Sequence, residues 1–168
     1  MNEPTVILSN IEVYLTIAKE SLAKAQSLLA AQRTPRLDGK GFVIAYDPDR
    51  RSFKHSMIAM VFSGIYLDAL LYSVGTRRLG KSQYETIERR NYETKLQALG
   101  LMDKNLLVDC KRFRESRNDL VHEKALTLAS GFTLTEPLRS AQDEAEHAVA
   151  FVLRVLQLLK APSTPATS

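Results

Sequence analysis

Residues 57–74, MIAMVFSGIYLDALLYSV, form the most apolar stretch of the chain. A run of this kind either approaches the length of a bilayer span or must be covered on most sides by protein. Asp68 interrupts it, and Lys54 and His55 stand directly before it, which favours the core helix of a helical bundle. Asp68 falls in line with Val61, Ile65 and Tyr72 at helical spacing, so its carboxylate is expected to point into packed surroundings. Gly64 offers a neighbouring helix close approach.

A core helix needs others to cover it, and the remaining sequence supplies them. Ile7, Ile11, Tyr14, Leu15, Ala18, Leu22 and Ala25 recur at helical spacing behind Glu3 and Pro4, predicting an amphipathic helix over 5–32. The segment 34–51 breaks that pattern with TPRLDGKG and DPD around an extended run at 42–46. It reads as a loop with a short strand. Gly80 and Ser82 predict a break and an N-cap before a helix that ends at Gly100. Asp103 caps a helix expected to run to about residue 126, with Leu106, Leu107, Cys110, Phe113, Leu120, Val121 and Ala125 on one face. Glu136 and Pro137 open the last helix, whose apolar side is Leu138, Ala141, Ala145, Ala148, Val149, Val152, Val155, Leu156 and Leu159. The expected fold class is all-α, a four- to five-helix bundle forming one domain over 1–161. The tail 162–168, PSTPATS, is expected to be disordered. At 168 residues, 45% of them hydrophobic, the chain can bury one substantial core.

Cys110, the single cysteine, excludes an internal disulfide framework, fits a reducing compartment and reads as a small buried hydrophobe. The opening MNEPTV has no basic run before an apolar segment, so the cytoplasm is the expected location. A net charge of +4 helps a chain approach a polyanion without identifying one. There is no glycine-rich phosphate loop and no GxSxG elbow. His122-Glu123 begins like HExxH, but Leu126 stands where the second histidine belongs. Three histidines and one cysteine give little basis for a metal site, and no cofactor is expected. His55 and His147 read as ordinary surface or helix-end residues.

Two stretches retain functional interest. In residues 76–95, Arg77, Arg78, Lys81, Arg89, Arg90 and Lys95 alternate with Tyr84 and Tyr92. That interleaving suits a nucleic-acid backbone with a stacked base. Glu85, Glu88 and Glu93 largely neutralise it, so a solvated helix with internal ion pairs is the competing reading. In the helix from Asp103, Arg117 projects from the apolar face, and Arg114, Asn118 and His122 line its edge. A buried unpaired guanidinium is costly. The neighbours of Arg117 at three and four residues are Phe113, Arg114, Leu120 and Val121, none of them acidic. Its partner must therefore come from another helix (Asp68 or Glu88), another subunit or an anionic ligand.

Arg117-Asn118-Asp119-Leu120-Val121-His122 has the form R-N-x3-H, and this resembles the signature of the HEPN superfamily. These are small all-helical domains of bacterial toxin–antitoxin, antiviral-defence and RNA-processing proteins. The likeness is close over those six residues and loose over the helical order of 5–161. It implies a metal-independent endoribonuclease in which a homodimer brings two motifs together, with a cognate antitoxin or regulatory protein as a further partner. Arg117 would hold phosphoryl oxygens, His122 would transfer protons and Asn118 would orient the ring or the phosphate. Arg114, Arg77, Arg78, Arg89 and Arg90 would contact RNA. Arg117 and His122 lie about 140° apart on an ideal helix. Their convergence therefore needs the arginine's length, a distorted turn or two subunits. Lys124 occupies the place where some toxin relatives carry tyrosine, a departure from that subgroup. The alternative is a HEPN-like module that no longer cuts and binds RNA, a nucleotide or a protein.

Overall fold

The computed structural model describes residues 10–39, 42–44, 49–121 and 141–161. In chain order they form α1 (Ile11–Gln32), β1 (Arg33–Pro35), β2 (Phe42–Ile44), α2 (Arg51–Leu79), α3 (Lys81–Glu85), α4 (Tyr92–Ala98), α5 (Lys104–Val121) and α6 (Ala141–Lys160). The fold is all-α, with four long helices packed together and two short ones covering part of α2 and α5. β1 and β2 pair antiparallel, Thr34 opposite Val43.

α2 is the axis of the bundle and is longer than its apolar stretch suggests. It begins after Arg50, whose φ of 50° puts it in the left-handed region, and stops at Gly80, whose φ of 85° suits a residue without a side chain. Among the described residues it is the one helix long and apolar enough to cross a membrane, but half of its most apolar window is buried within the fold. α1 and α6 cover one side of it. There Ala18, Ala59, Ala145 and Val149 form a cluster of small side chains that lets these helices approach closely. On the other side Leu67 and Leu71 of α2 join Leu96 of α4, Leu106 and Phe113 of α5, and Val152 and Val155 of α6, all essentially inaccessible.

Three sequence expectations change here. The helix expected to run unbroken to Gly100 is two helices, because the chain turns at 86–90 and Asn91 starts α4 afresh. Asn91 Oδ1 accepts from Thr94 N at 2.9 Å and from Thr94 Oγ1 at 2.6 Å, a side-chain cap that competes with helix continuation. The last helix buries Glu144 and Phe151 besides the expected alanines and valines. Asp68 is not enclosed, since 47% of its side chain is exposed. Asp103 caps α5 as expected, accepting from Leu106 N at 2.7 Å. The start of the first helix before Asn10, the far end of the run at 42–46, the connection and helix opening at 122–140, and the tail 162–168 lie outside the described residues.

Candidate functional site

α5 presents three stripes, set by the 100° step between successive residues. Leu106, Cys110 and Phe113 face the core and are buried. Asp109, Arg112 and Ser116 face α6. Arg114 and Arg117 face α4 and α2.

The third stripe holds the motif arginine. Arg117 lies across Gly64 of α2 so closely that a Cβ there would stand 2.8 Å from its Cδ and 3.1 Å from its Cζ, and would overlap Nε. The missing side chain at Gly64 is the space the guanidinium occupies. Arg117 Nη1 donates to the Tyr92 hydroxyl at 3.3 Å, and that hydroxyl donates to Asp68 Oδ2 at 2.9 Å. Lys95 Nζ sits 3.7 Å from Asp68 Oδ1 and 5.5 Å from the centre of the Tyr92 ring. Burial, and then the Asp68 charge, push the Tyr92 phenol far above its ordinary pKa of 10, so it stays a neutral hydroxyl. The inner Nε–H of Arg117 is closed to solvent and has no hydrogen-bond partner among the described residues.

Arg114, one turn earlier, is different. Its Nε donates to Glu93 Oε1 at 3.2 Å. The sequence counts Arg114 among the RNA contacts; in the fold α4 supplies it with a carboxylate. Asn118 is exposed on α5. His122 lies outside the described residues, as do the surroundings of the Val121 side chain.

The cationic stretch does not form one surface. Arg77 and Arg78 lie at the C-terminal end of α2, about 20 Å along the helix from Gly64 at 1.5 Å per residue. There Arg78 Nη2 donates to Leu159 O at 2.6 Å, satisfying a carbonyl at the end of α6. Both arginines line a cavity of about 650 Å³ with Lys160 and Leu156, remote from the motif. Arg89 and Arg90 are exposed in the turn before α4 and belong to the same end of the molecule as Tyr92. The two tyrosines expected to stack bases are core residues, Tyr84 at 1% and Tyr92 at 6% exposure. Tyr84 packs its ring onto Gly75 and against Tyr72. The ion pairs expected inside this stretch run out of it instead, from Glu93 to α5 and from Lys95 to α2.

The second stripe is fully matched in charge. Arg112 Nη2 donates to Glu144 Oε1 at 2.8 Å, and Ser116 donates to the other oxygen of the same carboxylate. Arg154 of α6 reaches Asp109 at 2.9 Å and Asp103 at 3.4 Å. His147 corrects another expectation, because it is not a surface residue. Its ring is 15% exposed, 3.7 Å from Asp109, and stacks on Phe151 at 8° between planes. Desolvation and the neighbouring Arg112 lower its pKa. Burial and Glu93 push the Cys110 thiol up to about 12, against the opposing effect of Arg114, so it behaves as a small core residue, as expected. Among the described residues no group of His, Cys, Asp and Glu is arranged to hold a metal ion.

Arg117 stands out in the sequence as a charge on an apolar face, but its contacts with Gly64 and Tyr92 do not. A capping pair at Asn91 and Thr94 was the available signal, since it starts a new helix that turns Tyr92 and Lys95 toward α2. No family model matches the chain, and no curated protein or solved structure matches it.

Proposed function

We propose that this protein is a HEPN-like, metal-independent endoribonuclease of the cytoplasm, acting as a homodimer in a toxin–antitoxin, phage-defence or stress-response setting. The observation that carries the reading is the guanidinium of Arg117, without an ion-pair partner among the described residues and the first residue of R-N-x3-H in an all-helical bundle. Lys95 balances Asp68, and no carboxylate lies within ion-pair distance of Arg117 among the described residues. A fixed cation of this kind suits a phosphodiester, whose charge grows as the phosphorus becomes pentacoordinate.

In the proposed reaction the RNA 2′-oxygen forms a bond to the adjacent phosphorus while the bond from phosphorus to the 5′-oxygen breaks. One proton leaves the 2′-hydroxyl and one reaches the departing 5′-oxygen, leaving a 2′,3′-cyclic phosphate and a 5′-hydroxyl end. His122 is the proton-transfer residue, because imidazole exists in both forms near neutrality. Arg117 holds the phosphoryl oxygens, and exposed Asn118 orients the phosphate or the ring. Two copies of the α5 edge would assemble the cleft, with Arg89 and Arg90 as outlying phosphate contacts.

Incubating the full chain with mixed cellular RNA in EDTA tests this. New 5′-hydroxyl ends are expected from wild type, and only a small measurable remainder of them from His122→Ala or Arg117→Ala. Equal cleavage by all three proteins rejects the site. A second reading, a module that binds RNA, a nucleotide or a protein without cutting, is favoured by the inward packing of Arg117 on Gly64. Binding without new RNA ends would select it.

A further inference from the structure

We propose that Tyr92 is the positioning residue for Arg117: its hydroxyl gives its proton to Asp68 and offers a lone pair to the guanidinium, which is thereby aimed without being neutralised. The inference rests on the reading of Arg117 as the phosphate-binding residue of the site. Arg112, Arg114 and Arg154 each donate to a carboxylate, and an arginine so paired has spent most of its attraction for an incoming anion. Arg117 is held by a phenol instead.

The direction of the hydroxyl follows from the chemistry of its two neighbours. A guanidinium only donates and a carboxylate only accepts, so the one phenolic proton goes to Asp68 Oδ2 at 2.9 Å and the lone pair faces Arg117. The negative end of that chain is answered by Lys95, so the cluster keeps the arginine's positive charge. Gly64 completes the seat, because the guanidinium occupies the space a Cβ would fill. Tyr92 itself is anchored in the core, with its ring 5.8 Å from that of Phe113. A rigid aromatic stem thus carries the one oxygen that fixes where Arg117 points.

Tyr92→Phe keeps the ring and removes that oxygen. Gly64→Ala leaves every polar group in place and fills the seat. Two readouts are needed, one independent of cleavage. In protein labelled with ¹⁵N at arginine, the Nε–H and Nη–H signals of Arg117, assigned by their loss in Arg117→Ala, should show hindered guanidinium rotation in wild type. Free averaging is expected in both variants. In the EDTA cleavage assay, Tyr92→Phe should lower kcat about tenfold or more with KM changed less than about threefold, as expected for an interaction realised in the transition state. Added to Arg117→Ala, Tyr92→Phe should have no further effect on residual cleavage. A purely structural tyrosine would instead lower both backgrounds alike, following the folded fraction.

Unchanged Arg117 rotation in Tyr92→Phe overturns the proposal whatever the cleavage result. So does unchanged kcat in a Tyr92→Phe protein whose parent cleaves through Arg117. If wild type makes no cuts, the nuclease reading fails on that result alone, and the rotation measurement still decides whether Tyr92 positions Arg117.

Discussion

The two polar seams of α5 are built from the same residue types to opposite ends. Toward α6, Arg112 meets Glu144, and Arg154 meets Asp103 and Asp109, so each cation closes on an acid from the facing helix. Toward α4 and α2, Arg114 closes on Glu93 in the same way. Three residues on, Arg117 meets a hydroxyl and a glycine. Phe113 divides the seams, its ring 5.8 Å from Tyr92 on one side and 5.2 Å from Phe151 on the other. A helix pair held by matched charge gains orientation and satisfies its buried groups. A cation with no carboxylate partner among the described residues, beside a matched one, adds nothing comparable to stability.

The largest effect is expected from removing a cation from the matched seam. Glu144 is 9% exposed at the side chain and Arg112 36%, so Arg112→Met takes a two-bonded cation from a nearly buried carboxylate that keeps its Ser116 hydrogen bond. We expect a loss of about 2–3 kcal/mol in chemical denaturation, below the range for fully buried pairs because solvent screens the arginine. A loss under about 0.5 kcal/mol would mean that this seam is as dispensable as an exposed pair.

A smaller effect separates the seams by pH. The neutral form of His147 is favoured in the folded state, because desolvation and Arg112 lower its pKa from 6.5. The unfolded chain then takes up a proton near 6.5 while the folded chain resists it. Stability is therefore complete above that value and declines as pH falls from 7 through 6.5 toward the lowered folded value. The urea midpoint should drop between pH 7.5 and pH 6 in wild type and drop less in His147→Gln. Equal drops in the two proteins would assign the pH dependence elsewhere.

What could be read from the sequence follows the same division. Periodicity exposed the core because Leu106, Cys110 and Phe113 repeat at helical steps, and Asp103 announced the start of α5. It also picked out Arg117 as a charge on an apolar face. The partners were not legible, because Glu93, Tyr92 and Lys95 belong to a stretch that reads by composition as a solvated cationic helix. The turn at 86–90 rotates these residues inward, and only the Asn91–Thr94 cap hinted at it. Gly64 was legible as a place of close approach. What approaches is an arginine rather than a helix backbone, and a lone glycine carries no information about that choice. His147 was misread because a single histidine on a helix says nothing of the Phe151 ring one turn later until the helix is packed.

The smallest stability change is expected at Arg117 itself. Arg117→Met keeps the aliphatic stem that crosses Gly64 and removes the guanidinium. Tyr92 can still donate to Asp68, and Lys95 remains beside that carboxylate, so no buried acid loses its counter-charge. One hydrogen bond is lost, worth about 1 kcal/mol. Against that, the variant no longer encloses an Nε–H that lacks a partner among the described residues, a group whose burial costs on the order of 1–3 kcal/mol. The two contributions offset, and the denaturation midpoint should stay within about 1 kcal/mol of wild type while most RNA cleavage is lost. A loss as large as that of Arg112→Met would place Arg117 among the structural cations and remove the reason for regarding its charge as held for a ligand.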